Sequence, residues 1–201
     1  MVDIADPDPS RAAAPVALTE RLLTGGARIL QLRMKRASAS SMLAVAELLR
    51  PLCRAHEALL IINDRVDVAL ACGADGVHLG QDDLPLAAAR RLAPQLRIGV
   101  STHSLEQARA AAAADYIGFG PVYPTESKEN PDPVVGTEAL ASACLIGVPV
   151  VAIGGITLDR LPEIARAGAS AAAIIRAVNG SADIASAARF ATRLWESLTA
   201  G

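Results

Sequence analysis

The residues best suited to chemistry by type and spacing begin with Gln31, Arg33 and Lys35, which alternate with apolar residues along a short run. Successive side chains of a strand point to opposite faces, so these three would share one face and the apolar residues the other. Two cations in one small cavity repel each other unless an anion binds there. The pattern predicts an anion-binding face, with plain surface solvation of Arg33 and Lys35 as the alternative.

Carboxylates follow the next two apolar runs. Asn63-Asp64 comes directly after ALLII, and Asp82-Asp83 comes shortly after DGVHL. Neighbouring strands lie about 4.8 Å apart, so Asp64 and one of Asp82 or Asp83 can meet above the sheet. Magnesium is typically held by one or two carboxylates together with substrate phosphates. We therefore predict a Mg²⁺ site beside the cations. The alternatives are a helix cap at Asp64 and a turn cap at Asp83.

Hydroxyl groups and glycines follow the later apolar runs, where they could receive a phosphate. Ser101 is either such a ligand or a cap of the helix that begins near Leu105. A catalytic base at His103 is the less favoured interpretation, and His78 is better explained as a hydrogen-bonded structural residue within a strand. Glycines, hydroxyl residues and cations also follow the sixth, seventh and eighth apolar runs, namely Gly118, Gly120, Thr125, Ser127, Lys128, Gly154, Gly155 and Arg176.

These residues need a fold that brings them to one edge. Short runs rich in Val, Ile and Leu alternate eight times with longer segments of helical period, which predicts a parallel sheet with helical crossovers. Strands are predicted at 2–5, 28–33, 58–62, 75–79, 97–100, 115–119, 149–153 and 171–175. Helices are predicted at 15–24, 40–56, 65–72, 85–93, 104–113, 137–145, 159–167 and 183–198.

Three features favour a barrel over an open, doubly wound sheet. Gly-Ala pairs at 26–27, 73–74 and 168–169 each precede a strand, with glycine suited to a left-handed helix exit. No G-x-G-x-x-G motif follows the first strand, where a dinucleotide-binding sheet would usually place it. Polar residues also gather after nearly every strand. We predict one α/β domain over residues 1–201, a (β/α)8 TIM barrel with its active site at the C-terminal ends of the strands.

Composition narrows the range of functions. Aromatic residues make up only 2% of the chain, which argues against a base-stacking surface, and 19 Lys+Arg nearly balance 21 Asp+Glu. No apolar run is long enough to span a bilayer, and the start lacks a signal-peptide pattern. We expect a cytoplasmic enzyme of small molecules that binds neither nucleic acid nor membrane. The oligomeric state stays open, a homo-oligomer included.

One long irregular stretch, 121–135, separates the sixth strand from the sixth helix, and its prolines forbid a regular helix. Loops of this length in compact domains are often lids or binding loops. A plain spacer is the alternative.

Five segments resemble, in order, the thiamine-phosphate synthase family, whose sister branch is the thiazole tautomerases. The segments are QLRMK, NDRVDVALACGADGVHLGQDDLP, IGVSTHS, DYIGFGPVYPTESK and VAIGGI, and the match runs from about residue 28 to 176. Members join hydroxymethylpyrimidine pyrophosphate to a thiazole phosphate, releasing pyrophosphate and thiamine phosphate. The resemblance implies a transferase of a pyrimidinylmethyl group that uses Mg²⁺.

The resemblance also implies roles for individual residues. The pyrimidine pyrophosphate would be held by Gln31, Arg33, Lys35, Asn63, Ser101 and Lys128, of which Arg33, Lys35, Ser101 and Lys128 form the catalytic set. Asp64 and Asp83 would be the magnesium ligands, which settles the choice against Asp82. Thr125 and Ser127 would contact the thiazole phosphate beside the backbone of Gly155.

Two positions depart from the patterns of the two branches. Synthases usually have a small residue, often Ser, near the end of strand eight, where this chain has Arg176; the guanidinium could bind the thiazole phosphate or fill its pocket. Tautomerases often have His where this chain has Pro121, which cannot move a proton. The alternatives to a synthase are a tautomerase and a non-catalytic sensor of thiamine-pathway phosphates. A sensor would tolerate loss of the two metal carboxylates, which this chain retains.

Overall fold

The computed structural model describes residues 2–5, 13–125 and 132–200. Eight parallel strands lie side by side in the order of the sequence, which confirms the predicted (β/α)8 architecture. The strands are β1 Val2–Ala5, β2 Ile29–Arg33, β3 Leu59–Asn63, β4 Gly76–Leu79, β5 Arg97–Thr102, β6 Tyr116–Phe119, β7 Val150–Ala152 and β8 Ala171–Ala172. Because neighbouring strands are parallel, each strand must be connected to the next by a crossover that returns the chain to the same end of the sheet.

The helices supply these crossovers. They are α1 Ala13–Thr24, α2 Ala39–Ala55, α3 Val66–Ala71, α4 Leu86–Leu92, α5 Leu105–Ala110, α6 Gly136–Cys144, α7 Leu161–Arg166, α8 Arg176–Asn179 and α9 Ile184–Thr199. Hydroxyl and carboxylate side chains cap three of them: Ser38, Ser104 and Asp183 accept backbone N–H groups at the starts of α2, α5 and α9. In the described residues, no helix has both the length and the apolar character that a membrane span requires.

Strand eight is where the prediction was wrong. The strand predicted at 171–175 covers only Ala171–Ala172, and Arg176 is the first residue of the short helix α8 rather than the end of a strand. The strand consists of two alanines and ends before the β-branched Ile174 and Ile175, so strand propensity, which depends strongly on tertiary context, does not set its end. Ile175, at φ −116° and ψ −81°, has already left the extended conformation.

The two ends of the chain meet in the helical layer. Helix α9, which follows the last strand, packs against α1, so the last helix lies beside the first. A Cβ atom at Gly25 would come within 2.5 Å of the Cβ of Ala188, so only glycine allows this approach. The Gly-Ala joints follow the prediction: Gly26, Gly73 and Gly168 have φ of 90°, 63° and 88°.

The alternation predicted for β2 is confirmed. Leu30, Leu32 and Met34 are buried in the apolar layer between sheet and helices. Gln31 on the other face is 6% exposed, while Lys35 at the strand end has 54% of its side chain exposed. Exposure of the polar face therefore rises toward the C-terminal end of the sheet, where the mouth of the barrel lies.

The opposite, N-terminal end of the barrel is held by two aspartates. Asp75, before β4, accepts the N–H of Leu60 at 2.8 Å, and Asp115, before β6, accepts that of Ile98 at 2.7 Å. Each carboxylate also pairs with an arginine of a nearby helix. Burial would raise the pKa of Asp115, but the N–H group and the arginine outweigh it, and its pKa lies below the ordinary value. We call this end of the barrel the floor.

Candidate active site

The C-terminal ends of β2 to β5 bring the predicted pyrophosphate-binding residues to one mouth. The register pairs Gln31 with Ile61, Asn63 with His78 and Ser101 with Gly118. Strand alternation then puts Gln31, Asn63 and Ser101 on the face of the sheet that looks into the barrel. Gln31 and Asn63 are each only 6% exposed, so their amide groups line the interior below the more open cations of β2.

Asp64 stands at the rim of the mouth, directly after β3. Its φ is +64°, in the left-handed region, and its N–H donates to the carbonyl of His78 at 2.8 Å. Aspartate is one of the few residues that tolerate this backbone conformation. The ammonium of Lys35 lies 3.6 Å from its Oδ2 atom. The predicted meeting of a carboxylate from β3 with a cation from β2 therefore occurs.

Asp83 is the second carboxylate at the rim. Its Oδ2 atom accepts the N–H of Gly80 at 2.6 Å, and its carboxyl group lies close enough to Asp64 for a hydrogen bond when one of them is protonated. Asp82 is exposed. The structure thus brings Asp83, not Asp82, to Asp64.

Burial and the neighbouring Asp83 make Asp64 harder to ionise. Burial, and then the neighbouring Asp83, raises the pKa of Asp64 from 3.8 to about 6, against the opposing effects of Lys35 and Arg33. Among the residues that the structure describes, no three His, Cys, Asp or Glu side chains cluster as metal ligands. Magnesium is nevertheless commonly held by one or two carboxylates together with substrate phosphates. Asp64 and Asp83 could supply the carboxylates, and the cations beside them could hold the phosphates.

Below the rim, His78 is hydrogen-bonded on both ring nitrogens. Its Nδ1 atom lies 3.1 Å from the hydroxyl of Tyr116, and its Nε2 atom lies 2.8 Å from Oγ of Ser101. His78 is hydrogen-bonded within a strand, as predicted, but its partner Tyr116 was not foreseen. Gln81, also missed, donates from its amide to the carbonyl of Ser101 at 2.5 Å.

His103 holds the two described ends of the 121–135 loop. Its Nδ1 atom donates to the carbonyl of Gly120 at 2.5 Å, and its Nε2 atom lies 3.3 Å from Oδ2 of Asp132. The amide side chain of Gln107 accepts its backbone N–H at 2.7 Å. Both nitrogens of the ring are thus engaged with the loop, an arrangement that suits an anchor rather than a catalytic base.

The far side of the mouth is made by the loops after β6 and β7. Gly155 has φ +66°, and a Cβ atom there would lie 2.5 Å from the carbonyl oxygen of Pro124. Thr125 follows directly and is half-buried. Arg160 donates to the carbonyl of Gly155 at 2.6 Å, and its guanidinium carbon lies 4.1 Å from the centre of the Tyr123 ring. The two loops are therefore packed together at the predicted thiazole phosphate position.

Glu163 completes this side of the mouth. It accepts the Tyr123 hydroxyl at 2.7 Å and the Thr137 hydroxyl at 3.2 Å. Burial, and then Glu163, raises the pKa of Tyr123 to about 12, so the phenol keeps its proton. Arg160 and Glu163 lie on helical turns after strand seven, and their spacing gave no signal of a role at the mouth.

Three of the predicted site residues need separate mention. Arg176 is exposed at the start of α8, on the C-terminal side of β8. Ser127 and Lys128 lie outside the described residues. The structure therefore brings together Gln31, Arg33, Lys35, Asn63, Asp64, Asp83 and Ser101 on one side, with Thr125 and Gly155 across from them.

This fold, with polar and charged groups at the C-terminal ends of its strands, defines a (β/α)8-barrel enzyme. The family model for thiamine monophosphate synthase matches residues 2–178, and the chain belongs to that family. Thiamine-phosphate synthase of Methanospirillum hungatei is 49% identical over 178 residues, covering 87% of this chain and 86% of that protein. The enzyme of the same name from Chlorobium phaeovibrioides is 51% identical over 173 residues, covering 84% and 83%.

A solved structure agrees with these relatives. Thiamine phosphate pyrophosphorylase from Pyrococcus furiosus superposes with a TM-score of 0.88 at 38% identity, covering 98% of this chain and 96% of that one. The resemblance drawn from the five sequence segments is confirmed. The chain is accordingly a transferase of thiamine biosynthesis that acts on small molecules.

Proposed function

We propose that the protein joins hydroxymethylpyrimidine pyrophosphate to a thiazole phosphate and releases thiamine phosphate and pyrophosphate, in the cytoplasm. The observation that carries the proposal is the rim of the mouth, where Lys35 lies 3.6 Å from Asp64 and Asp64 meets Asp83. Opposite charges placed this close suit a ligand that carries a metal ion and phosphates together. The names of the relatives fit such a ligand.

The proposed reaction breaks one C–O bond and forms one C–N bond. The electron pair of the C–O bond leaves with the pyrophosphate, the aminopyrimidine carries the resulting cation, and the thiazole nitrogen supplies the pair that closes on it. No protein nucleophile is needed. Consistent with this, Cys53 is fully buried, and burial raises the pKa of its thiol to about 11.

In this proposal the chain's own residues bind and neutralise the leaving group. Asp64 and Asp83 would hold Mg²⁺, which when bound offsets part of the pyrophosphate charge. Arg33 and Lys35 would face the same phosphates, fixed in place before the charge develops. Ser101 would donate a hydrogen bond from the interior. Below the cations, Gln31 and Asn63 are nearly buried, which would limit the access of water from that side.

The thiazole phosphate is assigned to the other side of the mouth. The backbone N–H groups of Gly154 and Gly155 could receive a phosphate, as such groups do at the corresponding loops of many barrels of this type. The absent side chains of these glycines make room for the packed segment of Pro121 to Pro124. Thr125 offers a hydroxyl next to them. The Arg160 hydrogen bond to the Gly155 carbonyl keeps this peptide oriented.

The proposal is tested by incubating the purified chain with both substrates and Mg²⁺ and measuring thiamine phosphate and pyrophosphate. We expect the two products in equal amounts, only when both substrates are present, and none in excess chelator. Substrate binding without turnover would indicate a sensor, and isomerisation of a thiazole carboxylate phosphate would indicate a tautomerase. Full activity in chelator would remove the metal from the mechanism.

Arg176 gives a prediction specific to this chain. If its guanidinium binds the thiazole phosphate, Arg176→Ser should weaken binding of that substrate about 10- to 100-fold, the value of a charge-assisted hydrogen bond of about 1.5–3 kcal/mol. Affinity for the pyrimidine pyrophosphate, measured by calorimetry, should stay the same. Arg54→Ser, an exposed arginine in the last turn of α2, is the control. Equal or tighter thiazole phosphate binding by Arg176→Ser would make the arginine a block rather than a ligand.

A further inference from the structure

We propose that Tyr116, acting through His78, is a positioning residue that turns the Ser101 hydroxyl so that its proton faces the pyrophosphate. This inference rests on the proposed function, because it concerns the residue assigned to that substrate. Tyr116, His78 and Ser101 come from β6, β4 and β5, so the interaction chain crosses three neighbouring strands inside the barrel.

The geometry of the three side chains is continuous. The Tyr116 hydroxyl lies 3.1 Å from Nδ1 of His78, and Nε2 of the same ring lies 2.8 Å from Oγ of Ser101. The two rings are also stacked, with centroids 5.5 Å apart and planes at 29°. His78 is 5% exposed, so water offers little competition for these bonds.

Two glycines make room for the rings. A Cβ atom at Gly99, which lies between His78 and Tyr116 in the register, would overlap the Tyr116 ring. A Cβ atom at Gly118 would lie 3.2 Å from Cε1 of His78. The interior of the barrel at this level is therefore shaped around the pair of rings.

The direction of the hydrogen bonds decides what Ser101 can do. A neutral imidazole donates from one nitrogen and accepts at the other. If Tyr116 donates to Nδ1, then Nε2 donates to Ser101, and the serine proton is left for a ligand. In the reverse direction the serine proton is used on His78, and only lone pairs of Oγ would face an anion.

The chemistry of the two hydroxyls favours the first direction. A phenol is more acidic than an aliphatic hydroxyl and is the stronger hydrogen-bond donor. Gln81 holds the carbonyl of Ser101 at 2.5 Å, which fixes the backbone and leaves mainly the hydroxyl rotation to be set.

The test is a double-mutant cycle between Tyr116→Phe and Ser101→Ala. Tyr116→Phe alone should lower kcat/KM for the pyrimidine pyrophosphate about 3- to 10-fold, which is the net value of one hydrogen bond. The KM for the thiazole phosphate should not change. In the Ser101→Ala background the same substitution should have no further effect beyond roughly 2-fold, because coupled residues are not additive.

Thr102→Val is the matched control. Thr102 neighbours Ser101 on the opposite face of β5, is fully buried, and donates one hydrogen bond to the carbonyl of Gly118 at 3.1 Å. The substitution removes a buried hydroxyl from the same strand and leaves Tyr116, His78 and Ser101 unchanged. Its effect should appear in thermal stability and should be the same with serine or alanine at position 101.

The four proteins of the cycle, which are the wild type, Tyr116→Phe, Ser101→Ala and the double variant, can also be compared by calorimetric binding of inorganic pyrophosphate with Mg²⁺. This measurement needs no turnover. If the purified protein does not form thiamine phosphate but the effects of the two substitutions on pyrophosphate binding are non-additive, the proposed function is wrong and the positioning role stands. A Tyr116→Phe effect of full size in the Ser101→Ala background would overturn the positioning role. If Tyr116→Phe unfolds the chain, His78→Gln and His78→Leu replace it. The glutamine amide can still donate to Ser101, so His78→Gln should bind pyrophosphate better than His78→Leu. Equally weak binding by both would also overturn the positioning role.

Discussion

Asp64→Asn should lower kcat/KM at least about 100-fold while raising the melting temperature of the ligand-free protein. Loss of a residue that merely supports a metal ligand typically costs about 10- to 100-fold, so loss of a ligand itself should cost no less. Asparagine keeps the size of the side chain and tolerates φ +64°, so the backbone is not disturbed. The substitution therefore separates the charge of Asp64 from its shape.

The gain in stability follows from the pKa of Asp64. Folding raises it from 3.8 to about 6, chiefly by burial and by Asp83, so the ionised carboxylate is less stable in the folded than in the unfolded chain. The penalty is complete above pH 6, declines as the pH falls toward 4, and is absent below 3.8. The increase in melting temperature should be largest near pH 8 and small near pH 4.

Thermal melts at these two pH values, with and without Mg²⁺, check the prediction. Mg²⁺ should stabilise the wild-type protein and have little effect on Asp64→Asn. Asp82→Asn is the control, since Asp82 is exposed and one residue from Asp83, and it should change neither activity nor the response to Mg²⁺. A lower melting temperature for Asp64→Asn at pH 8, or equal stabilisation of both proteins by Mg²⁺, would contradict the carboxylate pair.

Gly155→Ala should reduce kcat/KM for the thiazole phosphate at least about tenfold. An alanine at φ +66° costs about 1–3 kcal/mol of backbone strain. Its Cβ atom would also lie 2.5 Å from the carbonyl oxygen of Pro124 and 2.8 Å from Cβ of Tyr123, so the loops after β6 and β7 must move apart. A shift of that kind would displace Thr125 and the Gly155 peptide from the position proposed for the thiazole phosphate.

Gly73→Ala separates the two effects. Gly73 has φ +63°, but no atom lies within 4 Å of a Cβ built on it, and it sits at a helix-to-strand joint away from the mouth. Gly73→Ala should lose only the stability that backbone strain costs, which is less than Gly155→Ala loses, and should keep its kinetics. Pyrimidine pyrophosphate binding should be unchanged in both variants. If Gly155→Ala loses stability only, with normal kinetics toward the thiazole phosphate, the glycine is needed by the fold and not by the site.

The side of the mouth built from β2 to β5 could be predicted because local rules decide it. Alternation along QLRMK places the polar side chains on one face whatever the tertiary structure, and parallel strands deliver Asp64 and Asp83 to the same edge. The register of β3 and β4 could not be read from either segment alone. It is the register that brings Asn63 beside His78 and makes the mouth compact.

The remaining parts depend on long-range packing. Tyr116 has the sequence context of an ordinary core aromatic, and only its position across Gly99 from His78 gives it a polar partner. Arg160 contacts the Gly155 carbonyl and the Tyr123 ring at the mouth, and no periodicity in the sequence predicts these two contacts. The end of strand eight was wrong because Ile174 and Ile175 favour a strand locally, whereas the fold ends the strand at Ala172 and begins α8 at Arg176.

The separation of the floor from the mouth has a consequence for how such chains evolve. Asp75 and Asp115 connect neighbouring strands by hydrogen bonds at one end of the barrel. At the other end, the ionised Asp64 carboxylate destabilises the folded chain, since folding raises its pKa. If Asp64 holds the metal as proposed, a copy that replaces it with asparagine after gene duplication would lose the reaction and gain stability. Selection could then retain it for whatever its mouth still binds, which makes inactive but well-folded descendants an expected product of this architecture.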